Sequence, residues 1–167
     1  FFNDTATTVT YTLSLHDALP ISNDLVAEAK DYFAQKYNCS QSTFAPFAKY
    51  YGMDLDLAMK IATPFGGGFG HMGEACGAVS GALMALGLAK GNAVVNREKK
   101  HACYHLAAEF QNRFKAEHGS VLCPKLLGLD IGDPDQLQQA RDRNLFAEVC
   151  PNYIETAVRL MADILEL

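Results

Sequence analysis

The sequence predicts an all-α protein that folds as a single-domain helical bundle with an irregular glycine-rich loop. Apolar residues recur at helical spacing along most of the chain, and no segment shows the alternation that is typical of a half-buried strand. The chain has 167 residues, of which 49% are hydrophobic and 20% are charged. This length and composition suit one globular domain with a buried core.

The first residues form a segment that is predicted not to belong to the domain. Residues 11–21 read YTLSLHDALPI, which matches the translation of a widely used sequencing-adapter oligonucleotide. NDTATT at residues 3–8 matches an upstream part of the same oligonucleotide. We therefore predict that residues 1–22 are an adapter-derived artefact that packs poorly and that the natural N-terminal sequence is missing. Residues 23–167 are predicted to form a helical domain with four characteristic cysteines.

Three helices and a loop are predicted in the first half of the domain. A start signal at residues 22–24 precedes a helix whose apolar stripe comprises Val26, Ala29, Phe33 and Tyr37. A second helix is predicted over residues 39–52, with a kink or an early break at Pro46. Asp54 is predicted to cap a short third helix. The breakers TPFGGGFG at residues 63–70 then predict a loop.

The second half of the domain is also predicted to be helical. One helix is expected over about residues 73–88, and the longest is expected over residues 96–118 with an asparagine cap. Shorter helical pieces are predicted after Ser120 and after Asp133. The last helix is predicted to start at Cys150, because Pro151 follows it and proline favours the first helical turn.

Four of the five cysteines are predicted to lie at helix starts: Cys39, Cys76, Cys123 and Cys150. Unpaired N–H groups and the positive end of the helix dipole favour an anion at such a position. A thiolate is such an anion, so we expect the pKa of these thiols to be lowered. Cys103 differs, because it lies on the apolar stripe of the longest helix and is expected to be a small core residue.

The order of these cysteines resembles that of a known family. NCSQ at residues 38–41, CGAVSG at residues 76–81, Cys123 before Leu-Leu-Gly, and then Cys150 resemble the C_GCAxxG_C_C family. The resemblance spans most of the chain outside the adapter-derived segment. It implies a redox function carried by the four cysteines, and iron–sulfur binding occurs in some related domains. It does not supply a substrate or a reaction.

Four clustered thiolates allow three interpretations. The preferred one is an iron–sulfur cluster, 2Fe–2S or 4Fe–4S, that is bound by the four cysteines for electron transfer or redox sensing. The first alternative is a metal-free thiol–disulfide redox protein, and the second is a structural or interaction module with inert core thiols. The chain lacks the closely spaced cysteine pairs that common clusters and structural zinc sites use.

Small and polar residues are expected around these cysteines. Gly73, Gly77 and Gly81 lie four residues apart, so on a helix they would form a face that another helix can approach closely. His71 and Ser80 lie near Cys76 in the sequence. We therefore predict that His71, Gly77, Ser80 and Gly81 surround the ligands.

Charge and composition restrict the partners. The formal net charge is -5, which does not favour nucleic acid, and no apolar run approaches the ~20 residues that cross a bilayer. The cysteine pattern does not suit a secreted disulfide framework, so we expect a cytoplasmic protein. The expected partner is a redox protein, for which this chain could act as an oxidoreductase component, and a homodimer is compatible with the sequence. We identify no catalytic machinery beyond the cysteines.

Overall fold

The fold is all-α, as predicted. A computed structural model describes residues 18–167, with side chains described from residue 21, so most of the segment that is predicted to be adapter-derived lies outside the described residues. The helices are α1 (Ala18–Ala34), α2 (Cys39–Tyr50), α3 (Leu55–Ala62), α4 (Gly66–His71), α5 (Gly77–Lys90), α6 (Arg97–His118), α7 (Cys123–Leu127), α8 (Pro134–Asp142) and α9 (Leu145–Leu165). A 3₁₀ turn at Thr63–Phe65 joins α3 to α4.

The core lies where α2, α5 and α9 pack on one another, with α1 against α2 and α9, and α6 against α5 and α9. The facing sides carry fully buried alanines, which let the helix axes approach closely: Ala48, Ala78, Ala82, Ala85, Ala157 and Ala162. Large side chains fill the remaining space, among them Phe47, Phe110, Phe114 and Ile154. Within residues 18–167, no helix combines the length and the apolar character that a membrane crossing requires.

The start of α2 is fixed by a capping box. The Asn38 side chain accepts hydrogen bonds from the Ser40 and Gln41 N–H groups, both 3.0 Å, and the Gln41 side chain accepts one from the Asn38 N–H at 3.1 Å. Asn38 also donates to the Thr63 carbonyl at 2.9 Å, and Gln41 donates to the Thr63 hydroxyl at 2.9 Å. The cap therefore ties the start of α2 to the 3₁₀ turn.

We expect Asn38→Ala to lower the free energy of unfolding by about 2 kcal/mol, because it removes an N-cap and a tertiary hydrogen bond together. Asn96→Ala is the matched control, since Asn96 caps α6 through one bond to the Lys99 N–H and should cost only about 1 kcal/mol. Urea denaturation measures both values. Equal losses in the two variants would show that the bond to Thr63 contributes nothing.

Prolines do not break the helices in the way that the sequence predicted. α2 runs through Pro46, whose ring is fully buried, so packing offsets the lost backbone hydrogen bond. α9 begins at Leu145 and runs through Pro151, so the predicted start at Cys150 is wrong. Pro151 cannot donate to the Ala147 carbonyl, but Ala147 is exposed and water can reach it. The first helix likewise begins at Ala18, before its predicted start signal.

The glycine-rich segment α4 is a left-handed helical turn and not a right-handed α-helix. All residues from Gly67 to His71 have positive φ, between 61° and 66°. Glycine adopts this conformation freely, whereas each other residue in it costs about 1–2 kcal/mol. The backbone is therefore strained at Phe69 and His71, while the glycines adopt the left-handed conformation without strain. The predicted irregular loop is this compact turn.

A cysteine-lined cavity as the candidate functional site

Four cysteines line one cavity of about 170 Å³: Cys39, Cys76, Cys123 and Cys150. Each is no more than 8% exposed, and all are free thiols. A water molecule needs only about 10–15 Å³ of such space. The cavity can therefore hold a guest of several atoms.

Cys39 is the first residue of α2, and its sulfur is surrounded by backbone donors. Burial raises the pKa of the Cys39 thiol, and the N–H groups of Cys39, Ser40, Gly67 and Gly77, which can donate to the thiolate, only partly offset this increase. They come from the start of α2, the left-handed turn and the start of α5. A Cβ added at Gly77 would lie 2.4 Å from the Cys39 Sγ, so this contact requires glycine.

Backbone pairing brings Cys76 and Cys123 together. Cys76 precedes α5 and donates its N–H to the Val121 carbonyl at 2.8 Å, while Cys123 donates its N–H to the Glu74 carbonyl at 2.9 Å. These bonds flank an isolated antiparallel bridge between Ala75 and Leu122. Because residues 74–76 pair in this way, α5 begins at Gly77, and its predicted start at Gly73 is wrong.

Cys150 occupies a different position from the other cysteines. It lies inside α9, which begins at Leu145, whereas Cys39 and Cys123 are the first residues of their helices and Cys76 is an N-cap. The predicted location at a helix start is therefore correct for three of these cysteines and wrong for Cys150.

Burial, and not the helix dipole, dominates the acidity of the four thiols. It is the largest cause of a raised pKa at each of them, and it raises the pKa of Cys123 to about 12. Repulsion from neighbouring cysteines adds to the increase at Cys76, Cys123 and Cys150. N–H groups at the start of α5 only partly offset the raised pKa of Cys76. The prediction that these thiols have a lowered pKa is therefore wrong for the protein alone, because a buried thiolate without a compensating charge is disfavoured.

Comparison with known proteins gives one family. The sequence profile of the C_GCAxxG_C_C family, described as "Putative redox-active protein", matches residues 37–164. The chain belongs to the C_GCAxxG_C_C family. The matched residues include all four cavity cysteines and every helix from α2 to α8. No curated protein and no solved structure gave a significant match.

The predicted small-residue face of this C_GCAxxG_C_C domain is present in part. Gly77 lies against Cys39, and a Cβ added at Gly81 would lie 2.6 Å from the Ser40 carbonyl oxygen on α2. These two glycines therefore let α5 cross closely over the start of α2. Gly73 does not belong to this face, because it precedes α5 and has a φ of 71°.

The other residues predicted near the cysteines have different positions. His71 lines the cavity, whereas Ser80 is buried in α5 and its hydroxyl donates a hydrogen bond to the Cys76 carbonyl at 3.2 Å. Cys103 is half-buried on α6 and packs at the edge of the core, outside the cavity. Of the two polar side chains that were predicted near the cysteines, His71 therefore lines the cavity and Ser80 does not.

Sequence reasoning missed an aromatic wall of the cavity. Phe33 from α1 and Phe146 and Tyr153 from α9 line it, together with Leu126 and Leu127. Phe146 precedes Cys150 by four residues and Tyr153 follows it by three, so all three share one face of α9. This helical spacing could have predicted the aromatic wall. Phe146 was missed because the helix was predicted to start at Cys150, after Phe146.

The cavity differs from a site for a single metal ion. Among the residues that the structure describes, no three His, Cys, Asp or Glu side chains are grouped closely enough to hold one ion. The four cysteines instead line a larger cavity.

Proposed function

We propose that this protein binds an iron–sulfur cluster through Cys39, Cys76, Cys123 and Cys150 and uses it for electron transfer or redox sensing. The observation that carries the proposal is that four buried cysteines from separate segments line one cavity. Four thiolates are the usual protein ligands of 2Fe–2S and 4Fe–4S clusters. Membership of a family described as redox-active agrees with this role.

The size of the cavity favours a cluster over a single ion. A cluster contains several iron and sulfide atoms, so its thiolate ligands stand further apart than those of one tetrahedral ion. The absence of a single-ion group among the described residues and the cavity of about 170 Å³ are both compatible with such a guest.

The backbone around the cysteines suits a negatively charged guest. A bound cluster supplies one-electron exchange, and iron ligation replaces the thiol protons, which compensates for the burial that raises the pKa of these groups. The N–H groups around the Cys39 sulfur and at the start of α5 stabilise negative charge on the ligands. Hydrogen bonds to ligand sulfurs make the gain of an electron more favourable.

A second candidate is metal-free thiol–disulfide chemistry between Cys76 and Cys123. The backbone bonds around the bridge between Ala75 and Leu122 place these two residues on neighbouring backbone segments, diagonally across the bridge, and both thiols are free. Oxidation of both thiols would form the S–S bond and release two electrons and two protons to a disulfide-bearing partner.

In either case the protein needs a redox partner, so we propose that it acts as a component of an oxidoreductase system. The five free cysteines suit the reducing cytoplasm, where thiols persist.

We expect anaerobically purified or reconstituted protein to contain iron and inorganic sulfide and to absorb visible light. Replacing any one of the four cavity cysteines by serine should strongly reduce the bound iron, because each removes a ligand. Cys103→Ser is the matched control and should retain the cluster, since Cys103 lies outside the cavity. Iron and sulfide analysis with electron paramagnetic resonance of the reduced protein measures these outcomes.

Colourless, iron-free protein after reconstitution would reject the cluster. A mass shift on reduction that maps to Cys76 and Cys123 would then support the disulfide candidate. Unreactive thiols with neither iron nor a disulfide would favour an inert structural module instead.

A further inference from the structure

One side chain that lines the cavity is more exposed to solvent than the others. Among the residues that line it, His71 is exposed, whereas the four cysteines are buried and the remaining side chains are buried or half-buried. The His71 ring contacts the half-buried Phe146 ring, with 6.5 Å between ring centroids and 50° between ring planes. This separation lies within the range of attractive aromatic pairs. The two rings therefore meet at the mouth of the cavity.

The two rings belong to different parts of the fold. His71 ends the left-handed turn, and Phe146 lies in the first turn of α9. Their contact therefore joins two elements that are far apart in the sequence.

The left-handed turn holds the His71 ring against Gly67, whose backbone also contacts Cys39. A Cβ added at Gly67 would lie 2.5 Å from His71 Cδ2, so the ring lies directly on the Gly67 backbone. The N–H of the same Gly67 faces the Cys39 sulfur. His71 itself has a φ of 66°, a conformation that non-glycine residues keep only when their surroundings impose it. The strained turn thus places the ring between solvent and the backbone that holds the first thiol.

We propose that His71 and Phe146 form a gate that determines which molecules reach the four thiols. The lining is mostly apolar, with Phe33, Leu126 and Leu127 behind the ring pair, so the gate admits small uncharged molecules and excludes bulky or charged ones. Small uncharged oxidants belong to the admitted class. The gate concerns access to the cavity and therefore goes beyond the proposed function, since it operates with or without a cluster.

Alkylation of the reduced, metal-free, folded protein tests the gate. We expect His71→Ala and Phe146→Ala each to increase the alkylation rates of the cavity cysteines by about 2- to 12-fold, the range set by the strength of one aromatic pair. The increase should be larger for a bulky maleimide than for iodoacetamide, and His71→Phe should restore slow alkylation. Peptide mass spectrometry resolves the rate of each cysteine.

Two controls separate gating from general loosening. Cys103 lies outside the cavity and provides an internal reference whose rate should not change. His101→Ala should leave all rates unchanged, because His101 is exposed on α6 and its ring pairs with Tyr104.

Unchanged cavity rates in both alanine variants would overturn the gate. A parallel increase at Cys103, or fast alkylation in His71→Phe, would also overturn it, because the protein would then be opening globally or through loss of the imidazole alone. Failure of the wild-type protein to bind iron would reject the proposed cluster and leave this result standing.

Discussion

Gly77→Ala is expected to destabilise the protein by about 1–3 kcal/mol and to abolish or strongly reduce binding of the proposed iron–sulfur cluster. The new Cβ would lie 2.4 Å from the Cys39 Sγ, 3.0 Å from the Phe65 carbonyl oxygen and 3.1 Å from the Ser40 backbone nitrogen. Backbone blocks two of these directions, so the Cys39 side chain must leave its position. Urea denaturation measures the stability, and iron analysis after reconstitution measures the site.

Gly87→Ala is the matched control for this prediction. Gly87 lies in the same helix, and a Cβ added there would meet no atom within 4 Å. Alanine is the better helix former, so this variant should be stabilised by up to about 1 kcal/mol and should bind iron normally. Normal iron content in Gly77→Ala would contradict the close contact between α5 and the Cys39 sulfur.

Phe114→Ala is expected to lower the free energy of unfolding by about 3–5 kcal/mol, because it leaves a large cavity under α6. α6 buries only Phe110 and Phe114 completely, so these two rings attach a long helix to the bundle. The Phe114 ring also lies 4.7 Å from the His118 ring and 6.4 Å from the Tyr153 ring, between centroids. Thermal and urea denaturation measure the loss.

Phe114→Ala should affect the stability of the protein without affecting the cysteine-lined cavity. α6 contributes no residue to the lining of the cavity, so the molecules that remain folded should bind the proposed cluster as the wild-type protein does. Tyr104→Ala on the same helix is the control, since Tyr104 is 60% exposed and its loss should change stability by no more than about 0.5 kcal/mol. A folded Phe114→Ala protein that binds no iron would show that α6 shapes the cavity.

Local signals predicted much of the fold. Asp54 and Asn96 cap α3 and α6 as expected, because an N-cap acts through hydrogen bonds to residues within one turn. The predicted starts of α5 and α9 were wrong, because the observed starts depend on tertiary contacts and solvent exposure. Residues 74–76 pair with distant backbone around Leu122, and α9 tolerates Pro151 because the carbonyl that loses its partner is solvent-accessible.

The candidate site was predicted less completely. The sequence identified a set of cysteines that line one cavity, but their role as ligands stays a prediction. The prediction that their pKa is lowered was wrong. A helix N-terminus can be recognised in the sequence, whereas the burial that raises the pKa depends on which helices pack around the thiol. The contact between His71 and Phe146 also depends on tertiary structure, since it joins the left-handed turn to α9.

The origin of the cavity walls has a consequence for how the protein matures. Cys39 and Cys150 lie in segments far apart in the chain, and α9 packs against α1 and α2. During synthesis the last thiol therefore emerges long after the first. The last ligand of the proposed cluster would therefore join the others only when α9 packs against the rest of the domain, so the cluster could not guide the folding of the segments that come before α9.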